Sequence, residues 1–220
     1  MDSANFLGHR LDKEFSLYHV GHDNASPELQ SNFVHIDGKN GDIDLTEQDG
    51  AVFYNSIDRE WRFEKVTRKV TVDDVDAFAR ELRRVFGAKQ GRFIFDSDPG
   101  YYYYGRVKSI DVSCEGNGRL VALFVVRVEP YKYMVDETNL TFTINTSGTI
   151  VLNNKELIVC PTVINSATMT LAYTIRGTSY STTIQQGTHI IDTLILYEGA
   201  TTISVTGSGT IQFKYRQGAI

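Results

Sequence analysis

Residues 169–175 read Met-Thr-Leu-Ala-Tyr-Thr-Ile, and Arg-Gly-Thr-Ser follows them at 176–179. Large apolar side chains occupy every second position, which is typical of a strand that buries one face and exposes the other. The glycine in the stretch that follows indicates a turn. The same alternation occurs at Leu140, Phe142 and Ile144, and at Ile211, Phe213 and Tyr215 after a turn at 207–209. About seven or eight short strands at this spacing predict a β-sandwich.

The composition changes near residue 135. Residues 1–135 carry 40 of the 49 charged side chains, whereas residues 136–220 carry 9 and contain 24 serines and threonines. The second part is therefore expected to be a separate sheet domain, joined to the first by a short, ordered segment. We predict a domain over 1–135 and a second domain over 136–220, which should fold on its own because few contacts need to cross a short join.

The first domain contains one segment with helical periodicity. Thr71 is a suitable N-cap, and the aspartates that follow it suit the positive end of a helix dipole. The apolar stripe at helical spacing consists of Val75, Phe78, Ala79, Leu82, Val85 and Phe86. The pattern predicts a helix over about 72–86, with Gly87 in a left-handed conformation at its end. Strands are predicted at 61–66, 92–95 and 120–128, with a hairpin turn at 116–118, so the fold class is mostly β with one α-helix.

The net charge and the lack of recognisable targeting signals limit the functions that the sequence favours. The net charge is −5 and no lysine and arginine block is present, which disfavours nucleic-acid binding. The N-terminus lacks the features of a signal peptide, and no apolar run reaches the roughly 20 residues of a membrane span. We expect a soluble protein made in the cytoplasm, with no membrane contact. Cys114 and Cys160 are expected to be reduced, part-buried thiols.

Three groups of side chains have the residue types of a metal or catalytic site, and each has a simpler structural interpretation. His19 and His22 with Asp23 lack a third ligand cluster and lie in a predicted loop, so surface or structural histidines are favoured over a metal site. The loop from Asp37 to Asp44 lacks the spacing of a calcium loop, and its glycines fit tight turns. Asp96 and Asp98 flank a turn, which is common outside glycosidases. No catalytic motif is present, so we predict no catalytic, cofactor or metal residues and no enzyme activity.

Four consecutive tyrosines, Tyr101 to Tyr104, follow the turn at 98–100. On a strand, alternate rings face opposite sides, so two could join the core while two face outward. Outward tyrosines suit a protein interface or a surface that stacks sugars. A plain aromatic strand is the simpler alternative.

The order of several weak motifs resembles the distal tail proteins of long non-contractile-tailed phages. In the first domain the matching stretches are 36–46 (IDGKNGDIDLT), Tyr54-Asn55, Trp61-Arg62-Phe63, the helix after Val70-Thr71, Asp98 to Arg106 (DPGYYYYGR) and Pro130-Tyr131-Lys132. In the second they are Pro161, Ile175-Arg176-Gly177, Gly187, 194–196, 198–200, 203–209 and 215–218. Departures occur at Thr201, where family members often have Asn, and at 54–59, which is looser than the family's Tyr-x-Asn-Arg. There is no room for the sugar-binding insertion of some relatives.

The resemblance implies an N-terminal β-sandwich-like ring domain and a C-terminal galectin-like β-sandwich. It implies a structural virion protein at the tail tip, made in the host bacterial cytoplasm, that forms a homo-oligomeric, hexameric ring at the end of the tail tube. The expected partners are the tail tube protein and the tail-tip hub or tail-associated protein, with the tape measure and receptor-binding proteins nearby. DNA passes through the lumen without being recognised. The residues expected at the subunit interface are Asp37, Gly38, Gly41, Asp42, Tyr101, Tyr103 and Arg106.

The sequence is also compatible with two other functions. A carbohydrate-binding module acting in host-surface adsorption is the alternative, because tyrosine-rich sandwiches commonly bind glycans. A small hydrolase of unrecognised type is the third. Ring formation favours the first function, glycan-dependent adsorption by the C-terminal domain favours the second, and turnover of an ester or glycan favours the third.

Overall fold

The computed structural model describes residues 2–23, 25–47, 52–67, 69–116 and 118–220. The chain divides into two compact units, Met1–Lys132 and Tyr133–Ile220. The division lies between residues 132 and 133, whereas the composition places the boundary after residue 135. Asn117, in the predicted hairpin turn, lies outside the described residues.

The first unit is a sheet covered by a helix. Its elements are β1 (Ala4–Phe6), β2 (His9–Arg10), α1 (Leu11–Glu14), β3 (Tyr18–His22), β4 (Phe33–His35), β5 (Asp42–Asp44), β6 (Ile57–Val66), α2 (Val72–Phe86), β7 (Gln90–Phe95), β8 (Tyr101–Glu115) and β9 (Arg119–Met134). The main sheet has the strand order β2-β1-β7-β8-β9-β6-β3, and β4 pairs with β5 separately. The mostly β class is confirmed.

Aromatic side chains fill the core of this unit. The Phe6 ring lies 4.9–6.5 Å from six other aromatic rings, centroid to centroid. Those rings belong to Trp61, Phe63, Phe86, Phe93, Phe95 and Phe124. Helix α2 buries Phe78, Leu82 and Phe86 in the same core. The helix therefore packs on the sheet through the stripe that the sequence predicts.

The start of α2 agrees with the sequence, but its end does not. Thr71 Oγ1 accepts a hydrogen bond from Asp74 N, and Thr71 N donates to Asp74 Oδ2 at 2.8 Å, so the N-cap is confirmed. The left-handed conformation predicted for Gly87 is wrong, because Gly87 has φ −54° and Ala88 has φ +55°. Glycine is required at position 87 because a Cβ there would collide with the backbone carbonyl of Arg83.

Two shorter segments also differ from the sequence interpretation. A second helix, α1, covers only Leu11–Glu14, a length at which no amphipathic stripe can be recognised. The histidine segment lies in strand β3 rather than in a loop, and it pairs with β6 through an irregular register between His19 and Gly21. Asn24, the last residue of that predicted loop, lies outside the described residues. The structure therefore has two helices in its described part instead of one.

The second unit is a sandwich of two four-stranded sheets. Its strands are β10 (Thr138–Ile144), β11 (Ser147–Asn154), β12 (Thr162–Asn165), β13 (Met169–Ile175), β14 (Thr178–Ile184), β15 (Gly187–Ile190), β16 (Gly199–Gly207), β17 (Gly209–Tyr215) and β18 (Gly218–Ala219). The sheets have the orders β10-β17-β12-β15 and β11-β16-β13-β14. Both contribute to one core, for example Phe213 from the first and Leu171 from the second. The predicted sandwich is confirmed.

Strand β13 has the predicted alternation and turn. Met169, Leu171 and Tyr173 are buried. Ile175 pairs with Thr178 across a loop of two residues, Arg176 and Gly177, which have φ +50° and +80°. Positive φ at both central positions is the type I′ geometry that matches strand twist, and Gly177 adopts it without steric cost.

Two further observations concern membranes and thiols. Among the described residues no helix is both long and apolar enough to cross a membrane. Cys114 and Cys160 are free. The predicted partial burial is wrong for Cys114, which is exposed, whereas Cys160 Sγ contacts Ile191 O at 3.3 Å and burial raises the pKa of its thiol. Cys114 lies near the end of β8, where the strand extends away from the core.

Candidate subunit interface

The most unusual surface of the first unit is a projecting hairpin, here called the arm (residues 28–47 and 52–55). Its two limbs are β4 and β5 with their extensions. Outside these strands, Asn55 N donates to Glu28 O at 2.8 Å, Gln30 N to Phe53 O at 2.8 Å, and Leu45 N donates to the carbonyl of Asn32. The limbs therefore stay paired from the base of the arm toward its tip.

The arm exposes large apolar side chains. Its five are Leu29, Phe33, Val34, Ile36 and Phe53, with exposed fractions between 40% and 57%. An isolated two-stranded hairpin is marginally stable in water. A cluster of exposed apolar side chains marks an interaction surface more often than scattered ones do. The arm is therefore suited to being covered by another protein surface.

The tip of the arm contains four of the predicted interface residues. Gly38 and Gly41 have φ +80° and +79°, and no atom would meet a Cβ at either, so conformation alone favours glycine. Asp42 Oδ1 lies 3.1 Å from His35 Nδ1, while Asp37 is fully exposed and lies 3.9 Å from His35 Nε2. In the described ranges no group of three or more metal-ligating side chains is found.

The other three predicted interface residues lie on β8 and have partners within their own chain. Tyr103 packs in the core, 5.7 Å from the Trp61 ring, with the Arg59 guanidinium 5.5 Å from its centroid. Arg106 Nη1 donates to Ala88 O at 2.7 Å, and Nη2 donates to Gln90 Oε1 at 2.8 Å. Arg106 thus holds the turn that follows α2.

These seven residues belong to two separate elements, the arm tip and β8. In the part of the chain that the structure describes, no hydrogen bond, ion pair or ring contact joins Tyr103 or Arg106 to the arm tip. The arm meets the main sheet at its base instead, where the rings of Tyr54 and Tyr131 lie 6.1 Å apart.

The tyrosine strand does not present free outward rings. Tyr102 is 6% exposed and has the Arg92 guanidinium 4.6 Å from its ring centroid, and Tyr101, Tyr103 and Tyr104 are partly buried. Tyr103 contributes to the core while its neighbour Tyr102 lies outside that core cluster, as alternation requires. The expected alternation of the rings is therefore present, but the Arg92 guanidinium covers the outward ring of Tyr102.

A small cavity of about 210 Å³ lies beside Tyr103 and is lined by His22, Trp61, Phe95, Ser97, Asp98 and Lys132. Burial has the largest single effect on the pKa of Lys132 and lowers it, but the hydrogen bond with Asp98 at 2.8 Å and the nearby charges of Tyr103, Asp98 and Tyr101 together leave the pKa raised. A lysine held charged in this way is a poor nucleophile. The cavity is therefore lined by the Asp98–Lys132 ion pair and by aromatic rings, and its lysine is not activated as a nucleophile.

The histidine pair and the two aspartates have structural partners. The His19 and His22 rings stack at 5.2 Å, and burial, with His22 nearby, lowers the pKa of His19. Asp96 accepts two hydrogen bonds from Arg10, which lower its pKa. Asp98 binds Lys132. A glycosidase requires one carboxylic acid with a raised pKa, and Asp96 is shifted in the opposite direction.

The apolar residues of the arm were missed by sequence reasoning. Phe33, Val34 and Phe53 stand in a segment rich in Gly, Asp and Asn, which favours a turn interpretation. The signal was the presence of aromatic residues without the alternation of a half-buried strand.

The fold of this chain also occurs in a solved phage protein. No family model matches the chain, and no curated protein matches its sequence. The crystal structure of the SPP1 Dit protein, described as a paradigm of the hub adsorption apparatus in phages that infect Gram-positive bacteria, is similar over 100% of both chains, with a TM-score of 0.68 and 14% identity. The resemblance to distal tail proteins is thus confirmed for the fold.

More distant likeness is found to two structures of the phage p2 baseplate in its activated conformation, one with Ca and one with Sr. Both have a TM-score of 0.45 and 8% identity, over at least 98% of either chain. Structural similarity at this level does not establish a common fold.

Proposed function

We propose that the chain is a structural, non-enzymatic virion protein that forms a homo-oligomeric ring at the distal end of a phage tail tube. The fold that it shares with the SPP1 Dit protein supports this proposal. The observation that carries it is the arm, a hairpin with five exposed apolar side chains that has little reason to project from a monomer. The arm then serves as the contact between neighbouring subunits.

In this function the first unit forms the ring and joins the tube protein to the tail-tip hub. The second unit has 9 charged residues among the last 85 and forms the outward attachment. A net charge of −5 suits a lumen through which DNA passes, because a basic lumen would retain DNA by releasing its counterions.

Deleting the gene from the phage that encodes it tests the function. Tails assembled without the chain should lack a tip, and the full-length chain supplied in trans should restore it. Labelled antibody against the chain should bind at one end of the tail only. Normal tails in the deletion strain, or labelling along the whole tube, would contradict the proposal.

A second candidate function is the binding of a neutral glycan by the second unit, and one groove favours it. This groove of about 530 Å³ lies on the sheet β11-β16-β13-β14, and its lining includes Thr174, Ser179, Thr202 and Ser204. Hydroxyl groups of this kind can pair with those of a sugar. Glycan-array binding by the full-length chain that is lost in Ala172→Trp, which would fill the groove, supports this candidate.

A further inference from the structure

The cavity beside Tyr103 receives side chains from five neighbouring strands of the main sheet, β7, β8, β9, β6 and β3, and from the turn after β7. Its deeper wall is aromatic. Trp61 is 1% exposed and Phe95 is 8% exposed. The ring of Tyr103 lies 5.7 Å from the Trp61 ring and 6.3 Å from the Phe95 ring, centroid to centroid. A ligand in the cavity would therefore meet three aromatic side chains on one side.

The rest of the lining is polar and lies closer to solvent. Ser97 and His22 are exposed, and Asp98 and Lys132 are partly buried. Among the described residues, no hydrogen bond is found for the Ser97 hydroxyl, the Tyr103 hydroxyl or the His22 ring. A hydroxyl group both donates and accepts hydrogen bonds, and an imidazole donates and, when neutral, also accepts. These three groups are therefore available to a ligand.

The charges in and beside the cavity are already paired. Lys132 Nζ donates to Asp98 Oδ2 at 2.8 Å, so the one cation and the one carboxylate of the lining balance each other. The Arg59 guanidinium, 5.5 Å from the Tyr103 ring centroid, has the carboxylate of Asp23 3.9 Å away. A ligand with a net charge would leave water without gaining an opposite charge of its own, which is costly. The cavity therefore favours a neutral ligand.

The size of the cavity limits the ligand further. Pockets for drug-sized molecules measure roughly 300–1,000 Å³, so the volume of about 210 Å³ suits a single six-membered ring with its substituents. An aromatic wall accepts C–H groups against its rings, and a polar mouth pairs with hydroxyl groups. A sugar carries both kinds of group on one small ring.

We propose that this cavity binds one neutral sugar unit, with the C–H groups of the sugar against the aromatic wall and its hydroxyl groups toward the polar mouth. The site lies in the first unit and is separate from the groove of the second unit. It does not depend on the proposed ring, so the two proposals are tested independently.

The fluorescence of Trp61 tests the proposal, because Trp61 is the single tryptophan of the chain and lines the cavity. Glucose, galactose and N-acetylglucosamine are titrated separately into the full-length chain. At least one should change the emission saturably, with half-saturation on the order of 1 mM for a ligand of about a dozen non-hydrogen atoms. Glucuronate, a similar ring with a carboxylate, should bind about tenfold more weakly, because its charge finds no free partner.

Three substitutions locate the binding site. Ser97→Leu places an apolar side chain at the mouth of the cavity and should abolish the saturable change. Ser109, on β8, is exposed and is not part of the lining, so Ser109→Leu is the matched control and should bind as the original chain does. Tyr103→Phe keeps the ring and removes only the hydroxyl group, and it should weaken binding about fivefold.

Three results would overturn the proposal. One is the absence of a saturable change with all three neutral sugars. Another is unchanged binding in Ser97→Leu or, where thermal unfolding shows that this variant does not fold, in Tyr103→Phe. The third is tighter binding of glucuronate than of any neutral sugar, which would identify an anion site. A sugar that binds only in the groove of the second unit produces no signal that Ser97→Leu removes, and it would therefore also contradict the proposal.

Discussion

The ring of Tyr54 meets the ring of Tyr131 edge to face, at 6.1 Å between centroids and an interplanar angle of 87°. Tyr54 belongs to the arm and Tyr131 to β9, so this contact fixes the base of the arm on the main sheet. Because the limbs of the arm are paired by backbone bonds, the base sets the direction in which the whole arm projects.

Removing the Tyr54 ring should therefore impair assembly more than folding. Tyr54→Ala is expected to lower the yield of complete tails while the melting temperature of the isolated chain changes little, since the ring is outside the buried core. Tyr54→Phe keeps the ring and is the control. A large loss of thermal stability in Tyr54→Ala would show that the residue stabilises the unit rather than the direction of the arm.

Truncating the helix stripe should destabilise the first unit. Leu82 is fully buried in the aromatic core, so Leu82→Ala should cost about 2–5 kcal/mol in the free energy of unfolding, measured by urea titration. Val72, on the same helix, is 77% exposed, and Val72→Ala should change that free energy by less than about 0.5 kcal/mol. Equal effects of the two changes would contradict the packing described here.

The turn after α2 should not tolerate a side chain at position 87. A Cβ at Gly87 would collide with the Arg83 carbonyl, so Gly87→Ala should cost about 1–3 kcal/mol. Gly100 has open space around its Cβ position and no positive φ, so Gly100→Ala is the matched control and should be close to neutral. Chemical denaturation measures the free energy of unfolding of both variants. An unchanged free energy in Gly87→Ala would show that the turn can shift.

The pair of Arg10 and Asp96 should make stability depend on acid pH. Hydrogen bonds from Arg10, at 2.6 and 3.0 Å, lower the pKa of Asp96 in the folded chain. The stabilisation is therefore fully present above the ordinary carboxyl pKa of about 3.9 and is lost as the pH falls through the lower folded value. Asp96→Asn and Arg10→Ala should each flatten the melting temperature between about pH 4 and pH 2. Unchanged acid dependence in both variants would show that other carboxylates govern it.

Much of the fold follows from local patterns in the sequence. Strand β13 and the start of α2 are specified by alternation and by an N-cap, which depend only on nearby residues. The end of α2 depends on the distance between the Gly87 Cβ position and the Arg83 carbonyl, which residue type alone does not reveal. The short helix α1 spans too few residues to produce a periodic pattern.

The candidate interface was only partly accessible from the sequence. The glycines of the arm tip indicated a turn correctly, since Gly38 and Gly41 both have positive φ. The sequence could not show that the Arg106 guanidinium donates a hydrogen bond to Ala88 O, because this hydrogen bond joins residues that the strand pairing brings together.

The central claim is that subunits assemble through the arm, and the mass of the assembled state tests it most directly. Native mass spectrometry of the full-length chain at micromolar concentration, with the tail tube protein present as a template, should detect a hexameric ring. Phe33→Asp/Phe53→Asp, which places charge on the apolar surface of the arm, should give monomers under the same conditions. A strict monomer for the unaltered chain in assembled tails, or an intact ring for the arm variant, would contradict the account.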